Sequence, residues 1–351
     1  MRVNEVVEIT KGVLLNTPSI AMFSRIICHL EKIEKGDLYI ALDEEATSYH
    51  ITQAIQAGAY GVICEKNIKI DDEEIAYIQV ENIQDCLMRL IRYKLLVKNV
   101  ALIDSLSIIE ESIAKNIIDD EKVCFFEGDL SLFVESLNNE TISLVITHNK
   151  QITDLGFNIL QVSKPKERPF LVLSHTLFDS TILYEGTHCR INLPKLFFNE
   201  LSAVLHLCQQ ENISYSLQHF RQIPFFKPNF LNAFGKIIEY GQASKVAIAE
   251  EDIEHFKRYM AYIANNAAWG KILFLVPQVY LELFNQIAQT RSYATQEQLC
   301  EHIHRENFNF ALVLGINDDT LVDALNNNYK PFIEPDLFSG VWNEEPQQQL
   351  L

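Results

Sequence analysis

Residues 23–65 read FSRIICHLEKIEKGDLYIALDEEATSYHITQAIQAGAYGVICE, and this stretch decides the fold. The Gly-Asp pair at 36–37 is a turn signal, and the apolar run at 38–42 after it is typical of a short buried strand. Small and apolar residues then predict a helix that ends at Gly58, because glycine adopts the left-handed backbone of a helix stop at little cost. A second apolar run follows at 62–64. Strand, helix and strand in this order predict a parallel, right-handed βαβ unit.

The same residues resemble the N-terminal domain of the Mur ligases, in the MurE/MurF branch. That branch reads roughly D-S-R, then G-D-L-F-x-A-L-x-G, then D-G-H-x-F, then A-x-x-x-G-A-x-G. Ser24 and Arg25 match the end of the first motif, with Phe23 in place of its Asp, and residues 36–42 match nearly all of the second. The family His falls on Ser48. The resemblance implies that Ser24, Arg25 and Ser48 line the uridine end of a UDP-N-acetylmuramoyl peptide.

Length and composition exclude several classes of function. The chain has 351 residues, of which 48% are hydrophobic, and this length is enough for two or three domains with a sizeable core. Its net charge of −18 argues against binding to nucleic acid or to an anionic membrane. The seven cysteines are scattered without a C-x-x-C, which indicates free thiols in a reducing compartment. Without a signal pattern or a long apolar run, we expect a cytoplasmic protein that does not insert into a membrane.

One junction lacks the residues that bind a nucleotide. In a Mur ligase, the strand that opens the central domain leads into a P-loop, G-x-x-G-K-T. Here the buried strand at 100–103 is followed by Asp104, Ser105, Leu106 and a helix over 107–118, with no glycine and no lysine. Glycines let successive backbone N–H groups wrap the phosphates and the lysine neutralises their charge, whereas Asp104 adds negative charge. Since no other G-x-x-x-x-G-K-[ST] occurs, we expect no ATP binding of this type and no cofactor.

The remaining pattern predicts three domains. An amphipathic helix over 85–98 closes an N-terminal domain, residues 1–98. A degenerate central domain without a P-loop follows over 99–222, a Rossmann-like C-terminal domain over 223–342, and a disordered tail over 343–351. The predicted fold class is α/β, a three-domain Mur-ligase-like architecture with parallel or mixed sheets flanked by helices.

Elements of the two later domains follow from apolar runs and helical spacing. In the central domain, a core helix from 193 to about 211 resembles the Mur segment L-P-G-x-H-N-x-x-N-x-x-A-A, and we expect a further short helix up to Phe220. The C-terminal pattern predicts strands at 237–238, 246–249, 272–276 and 310–315, with helices over 251–266, 278–290, 295–306 and 318–326.

Two clusters of polar residues are candidate sites. Glu250, Glu251, Asp252 and Glu254 stand beside His255, but they also begin a helix, whose dipole favours acids there. A helix cap is therefore the simpler interpretation, as it is for the acids at 318–319. The His-x-His at 302–304 would point to opposite sides of a helix, which is unsuited to a metal.

The first hypothesis is a non-catalytic Mur ligase homologue in peptidoglycan precursor synthesis, with no ligase activity expected. It would bind a UDP-muramoyl peptide or act as a scaffold for other Mur enzymes. Two alternatives stay open: an enzyme of another class that reuses the interdomain cleft without ATP, through the acids at 250–254, and a purely structural interaction protein.

Overall fold

The computed structural model describes residues 1–42, 47–66, 69–104, 106–163, 165–218, 220–239, 241–284 and 289–327. The chain divides into two compact units. The first consists of residues 1–171, 184–189 and 199–220, and the second of residues 172–183, 190–198 and 221–351. The expected boundaries at 98 and 222 stay a prediction, and the tail at 343–351 lies outside the described residues.

The first unit begins with a mixed five-stranded sheet in the order β1-β5-β4-β3-β2, in which β1 is antiparallel to β5 and the other pairs are parallel. Its elements are α1 (Val3–Thr10), β1 (Val13–Leu14), β2 (Ile26–Ile27), β3 (Leu38–Ile40), α2 (Thr47–Gln56), β4 (Gly61–Cys64), β5 (Ala76–Gln79) and α3 (Ile83–Val97).

The predicted βαβ unit is confirmed as β3, α2 and β4. Leu38 and Ile40 belong to the core on one face of the sheet, and Tyr39 belongs to the core on the other face. Because both faces are covered, the strand reads as an unbroken apolar run. Gly36 and Gly58 both have the expected left-handed backbone, with φ of +101° and +107°, and the Gly36 N–H donates to the Gly58 carbonyl over 3.0 Å.

A four-stranded parallel sheet follows in the order β7-β8-β6-β9. Its elements are β6 (Ala101–Ile103), α4 (Ile108–Ile117), β7 (Val123–Phe125), α5 (Leu130–Ser136), β8 (Leu144–Ile146), α6 (Lys150–Thr153) and β9 (Asn158–Leu160). One hydrophobic core contains α3 residues such as Leu90 together with Leu102, Phe133 and Val145, so the packing continues across residue 98.

A three-stranded sheet, β10-β11-β12, comes next, followed by a helix. These elements are β10 (Leu171–His175), β11 (Ser180–Tyr184), β12 (Thr187–Ile191) and α7 (Phe198–Gln210). The expected start of the helix at 193 was early, since a 3₁₀ turn at Lys195–Phe197 precedes α7. The expected short helix up to Phe220 was wrong for the described residues. Ser214 instead bonds to Asp120 through its N–H, and its carbonyl accepts from the Asp119 N–H.

The second unit carries a five-stranded sheet in the order β13-β14-β17-β15-β16, parallel except at β13. Its elements are β13 (Asn229–Leu231), β14 (Lys245–Glu250), α8 (Ile253–Asn266), β15 (Ile272–Pro277), α9 (Leu281–Phe284), β16 (Gln289–Tyr293), α10 (Gln296–Arg305), β17 (Phe310–Leu314) and α11 (Asp318–Asn327).

Two predictions for this sheet were wrong. The expected helix over 278–290 is a 3₁₀ turn at Gln278–Tyr280 followed by α9, residues 285–288 lie outside the described residues, and the end of the range is wrong because strand β16 begins at Gln289. Tyr293 is the one buried residue of the edge strand β16, so the strand lacks the apolar run that marks a buried strand. The strand expected at 237–238 is a single bridge from Ile237 to Leu231, and the edge strand is β13.

A partly buried lysine joins α3 to the segment after α5. Lys94 Nζ donates to Asn138 Oδ1 over 2.7 Å, and the Asn138 side chain also bonds to both the N–H and the carbonyl of Ile26. Burial and the neighbouring charge of Lys98 lower the pKa of Lys94 to about 8. Folding therefore favours the neutral amine.

The first prediction concerns this lysine. The unfolded chain holds the Lys94 proton up to its ordinary pKa near 10.5, whereas the folded chain releases it near pH 8. The unfolded state binds more protons between these values, so stability rises there. Relative to Lys94→Met, the unmodified chain should gain about 1 kcal/mol of unfolding free energy between pH 7 and pH 9. Urea denaturation measures this difference. It should stay constant between pH 6 and pH 7, and a difference independent of pH throughout would contradict the prediction.

Candidate functional site

The carboxyl ends of β6 and β8 form the place where this kind of sheet binds ligands. The two strands are neighbours, and the chain leaves them in opposite directions, towards β7 after β6 and towards β9 after β8. In open parallel sheets the crevice at such a topological switch point is the usual binding site. Residues 104–110, which stand where a Mur ligase has its P-loop but contain neither glycine nor lysine, lie here. Ser105 is outside the described residues.

Two backbone N–H groups at the start of α4 bond to side chains of the same turn. Ser107 is the N-cap, and its hydroxyl accepts the Glu110 N–H over 3.2 Å. The Glu110 carboxylate in turn accepts the Ser107 N–H over 2.6 Å. This reciprocal capping box occupies amide groups that bind phosphate in a P-loop. Leu106 is buried beside it, while Asp104 is exposed.

A second carboxylate fills the crevice from α4. The Glu111 side chain is 3% exposed, and its Oε2 accepts the His148 N–H over 2.8 Å and lies 2.5 Å from His148 Nδ1. Lys115 Nζ pairs with the other oxygen at 3.0 Å. His148 follows β8, so Glu111 ties the ends of both strands together. An anion would have to displace this carboxylate from its donors.

Of the three residues predicted for the uridine end, Ser24 and Arg25 are neighbours and Ser48 lies apart from them. Ser24 and Arg25 precede β2, where the Ser24 N–H donates to the Gly36 carbonyl over 2.8 Å. Ser48 lies in the first turn of α2. The C-terminal end of α2 lies near Ser24, because Gly58 after the helix bonds to Gly36. Ser48 is at the other end of α2, about 12 Å away along the helix axis. The exposed Ser24 and Ser48 therefore sit at opposite ends of the βαβ unit.

Arg25 is engaged with a buried acid. Its Nε and Nη2 donate to the two oxygens of Asp37 over 3.1 and 2.7 Å, and the Asp37 side chain is 1% exposed. The hydrogen bond to Asp37 raises the pKa of Arg25 above its ordinary value. Asp37 also accepts the Glu34 N–H, so this fork holds the turn before β3 in place. The Arg25 side chain is 34% exposed, and its Nη2 also donates to the Lys32 carbonyl over 3.2 Å and lies 3.2 Å from Glu34 Oε2.

Among the acids at 250–254, Asp252 is the N-cap of α8, in line with the simpler interpretation. Asp252 Oδ1 accepts the N–H groups of Glu254 and His255, each over 2.8 Å, and the bond from His255 holds the pKa of Asp252 below its ordinary value. Glu250 is buried, and its Oε1 accepts the Asp252 N–H over 2.9 Å. Its Oε2 lies 3.7 Å from His255 Nδ1. Burial raises the pKa of Tyr259, one turn further along α8.

The remaining candidates are placed as follows. Asp318 was expected to cap α11, but Asn317 Oδ1 accepts the Thr320 N–H there, and Asp318 bonds to Lys227 and Asn229. His302 Nε2 lies 3.2 Å from the Ser292 carbonyl.

No group of three or more His, Cys, Asp or Glu side chains is arranged for a metal within the described residues. Across the same residues, no helix combines the length and apolarity that a membrane span needs.

Sequence reasoning missed the pair of Glu111 and His148. The two residues are 37 positions apart, and neither belongs to a recognisable motif. The available signal was weak: a histidine directly after an apolar strand and an acid in the first turn of the helix that follows the neighbouring strand.

The comparisons with known proteins agree with this architecture. The chain is similar to a crystal structure of MurF from Acinetobacter baumannii, with 11% identity, a TM-score of 0.54, and coverage of 93% of this chain and 98% of that one. A second structure from the same organism, of a UDP-N-acetylmuramoylalanyl-D-glutamyl-2,6-diaminopimelate--D-alanyl-D-alanyl ligase, gives 11% identity and a TM-score of 0.51 over the same shares of both chains.

A MurF ligase from Thermotoga maritima in complex with ADP gives 11% identity and a TM-score of 0.52, covering 87% of this chain and 96% of that one. No protein-family model and no curated protein sequence matches the chain. At this identity the comparisons show the fold alone. The predicted fold class is confirmed: an α/β protein with parallel and mixed sheets flanked by helices, as in the Mur ligases.

The Arg25–Asp37 fork generates the second prediction. Arg25→Ala leaves a buried carboxylate without its cation, which should cost about 3 kcal/mol of unfolding free energy. The double variant Arg25→Met with Asp37→Asn should recover part of this loss, because it removes both charges. Arg190→Ala is the control, since the Arg190–Asp179 pair has an arginine that is 77% exposed and should contribute less than about 1 kcal/mol. Equal losses in Arg25→Ala and Arg190→Ala would refute the prediction.

The third prediction concerns Glu111. Glu111→Ala removes the acceptor of the His148 N–H and should lower the unfolding free energy by about 2 kcal/mol. Glu127→Ala is the matched control, because Glu127 is 75% exposed and lies 3.9 Å from the same Lys115. Chemical denaturation compares the three proteins. A Glu111→Ala variant as stable as the control would show that the carboxylate does not hold the crevice closed.

Proposed function

We propose that this chain is a non-catalytic protein of peptidoglycan precursor synthesis with the Mur ligase fold, acting in the cytoplasm. The observation that carries the proposal is the closure of the β6–α4 corner by Glu110 and Glu111. A Mur ligase activates a carboxylate as an acyl phosphate with ATP before it couples an amino compound, and this chemistry depends on positioned phosphates and their counter-charges. The Thermotoga maritima relative was crystallised with ADP.

The charges at the β6–α4 corner of this chain oppose the binding of ATP. The Ser107 N–H already bonds to a carboxylate, and Glu111 holds the His148 N–H and Lys115. A triphosphate would meet Asp104, Glu110 and Glu111 without a P-loop lysine or glycine. Each displaced carboxylate would lose charge-assisted hydrogen bonds, so ATP uptake is disfavoured on both counts.

The retained role is binding of a UDP-N-acetylmuramoyl peptide, or docking with active Mur ligases. Support for the first comes from the N-terminal βαβ unit, in which the exposed Ser24 stands beside the partly exposed Arg25. A serine hydroxyl and an arginine cation suit a phosphate or a uracil carbonyl. Ser48, one helix length away, would contact a more distant part of an extended ligand of this kind.

The alternative enzyme built on residues 250–254 has less support. Asp252 is used as the cap of α8, and Glu250 accepts the Asp252 N–H, so both carboxylates have structural partners.

The fourth prediction tests the proposal by calorimetry. The purified chain is titrated separately with Mg-ATP and with a UDP-N-acetylmuramoyl pentapeptide, and we expect heat of binding from the second ligand only. Ser24→Trp should abolish this binding by blocking the exposed site, whereas Ser174→Trp on the exposed strand β10 should leave it unchanged. Tight Mg-ATP uptake that disappears on changing residues 104–111 would overturn the proposal. No uptake of the pentapeptide at millimolar concentration would reject the ligand-binding form, and co-purification with active Mur ligases would then test the scaffold form.

A further inference from the structure

The first unit has a surface pocket of about 540 Å³ beside β1, the edge strand of its N-terminal sheet. Residues 2–8 of the α1 region line one side, residues 16–21 line the other, and Leu14 of β1 also contributes. Ser24, Arg25 and Ser48 are not among the described residues that line it, so this pocket differs from the predicted uridine end. A cavity of this volume is large enough for a small molecule.

Hydrogen bonds within the chain hold both sides of the pocket. The Val3 N–H donates to the Ala21 carbonyl over 3.0 Å, which joins the start of α1 to the end of the segment opposite. In that segment, the Asn16 amide donates to the carbonyls of Glu73 and Ile75 over 3.2 and 2.7 Å. The shape of the pocket is therefore fixed by the fold and does not need a ligand to form it.

Some polar side chains of the pocket have partners in the chain, and others do not. Glu5 accepts the Tyr93 hydroxyl and the Arg2 N–H, and the bond from Tyr93, followed by that from Arg2, holds the pKa of Glu5 below its ordinary value. Among the described residues, the exposed Arg2 guanidinium and the exposed Glu8 carboxylate form no ion pair, and the Asn4 amide forms no hydrogen bond. One cation, one carboxylate and one amide are therefore available to a ligand.

These charges exclude several classes of ligand. A polyphosphate would meet Glu5 and Glu8, and like charges repel. A divalent metal ion requires several oxygen ligands, but Glu5 is already engaged, so Glu8 is the one uncommitted carboxylate of the described lining. A ligand with positive charge alone would meet Arg2. The set of charges suits a molecule that carries both an ammonium and a carboxylate.

We propose that this pocket binds a short zwitterionic peptide, with the peptide carboxylate on Arg2 and the peptide ammonium on Glu8. The two residues are six positions apart, which corresponds to about 9 Å of helix rise. A molecule of one or two residues spans up to about 7 Å, so flexible side chains on this spacing can reach both of its ends. The Asn4 amide and the Thr17 hydroxyl can pair with the peptide group between the two charges.

The fifth prediction pairs charge removal in the protein with charge removal in the ligand, and glycylglycine is the probe. NMR titration should shift the amide signals of residues 2–8 and 14–21. Acetylation of the glycylglycine ammonium should weaken binding to the unmodified chain about fivefold, the effect of one exposed ion pair. In Glu8→Gln, the free and acetylated peptides should bind equally. In Arg2→Gln, the same equality should hold for glycylglycine and its C-terminal amide.

Two control variants each remove one exposed charge outside the pocket. Lys11→Gln and Glu31→Gln should leave both the affinity for glycylglycine and the loss on acetylation unchanged. All four substituted side chains are exposed, so the variants should stay folded, which circular dichroism checks. Signals of residues 2–8 and 14–21 that do not respond to glycylglycine would overturn the proposal. A fivefold loss on acetylation that persists in Glu8→Gln would also overturn it.

Discussion

The first turn of a helix leaves backbone N–H groups without partners, and each must find an acceptor. This constraint governs the corner between β6 and α4. In a P-loop protein the acceptor is the phosphate of a ligand, which makes the empty loop a binding site. Here Ser107 and Glu110 supply the acceptors from the chain itself, and Glu111 does the same for the N–H after β8. At the described residues of this corner, the N–H groups of Ser107, Glu110 and His148 therefore have acceptors within the chain itself.

In the N-terminal βαβ unit, a buried carboxylate likewise accepts hydrogen bonds from groups of the chain itself. Arg25 holds Asp37, and Asp37 holds the Glu34 N–H, so one buried ion pair fixes the turn from which β3 starts. Much of this unit was predictable because its signals are local. Glycine at 36 and 58, with a strand buried on both faces, permits few other arrangements. The positions of Ser24 and Ser48 were not predictable from motif order, since they depend on the direction in which α2 runs.

The two strands that the sequence analysis did not predict, β13 and β16, were missed for the same physical reason. β16 is an edge strand with one buried residue and β13 is a short one, and neither has the apolar run that marks a buried strand. The absence of nucleotide-binding residues at 104–110 could be read from residue types alone, because glycine and lysine are needed there for stated reasons. The contact between Glu111 and His148 at this corner could not be predicted from residue types, since the two residues meet only when β6 and β8 pair in parallel.

Fold and chemistry depend on different numbers of residues. The architecture here matches MurF at 11% identity, because a core accepts many apolar substitutions if size and pattern are kept. A nucleotide site depends on a few residues that have no such substitutes. Losing one glycine or the lysine weakens binding, and an acid that then pairs with the freed N–H groups also improves the helix cap. At the β6–α4 corner of this chain, a phosphate would have to displace the Glu110 carboxylate from the Ser107 N–H. The fold shared with MurF is therefore compatible with a corner that has neither the glycines nor the lysine of a P-loop.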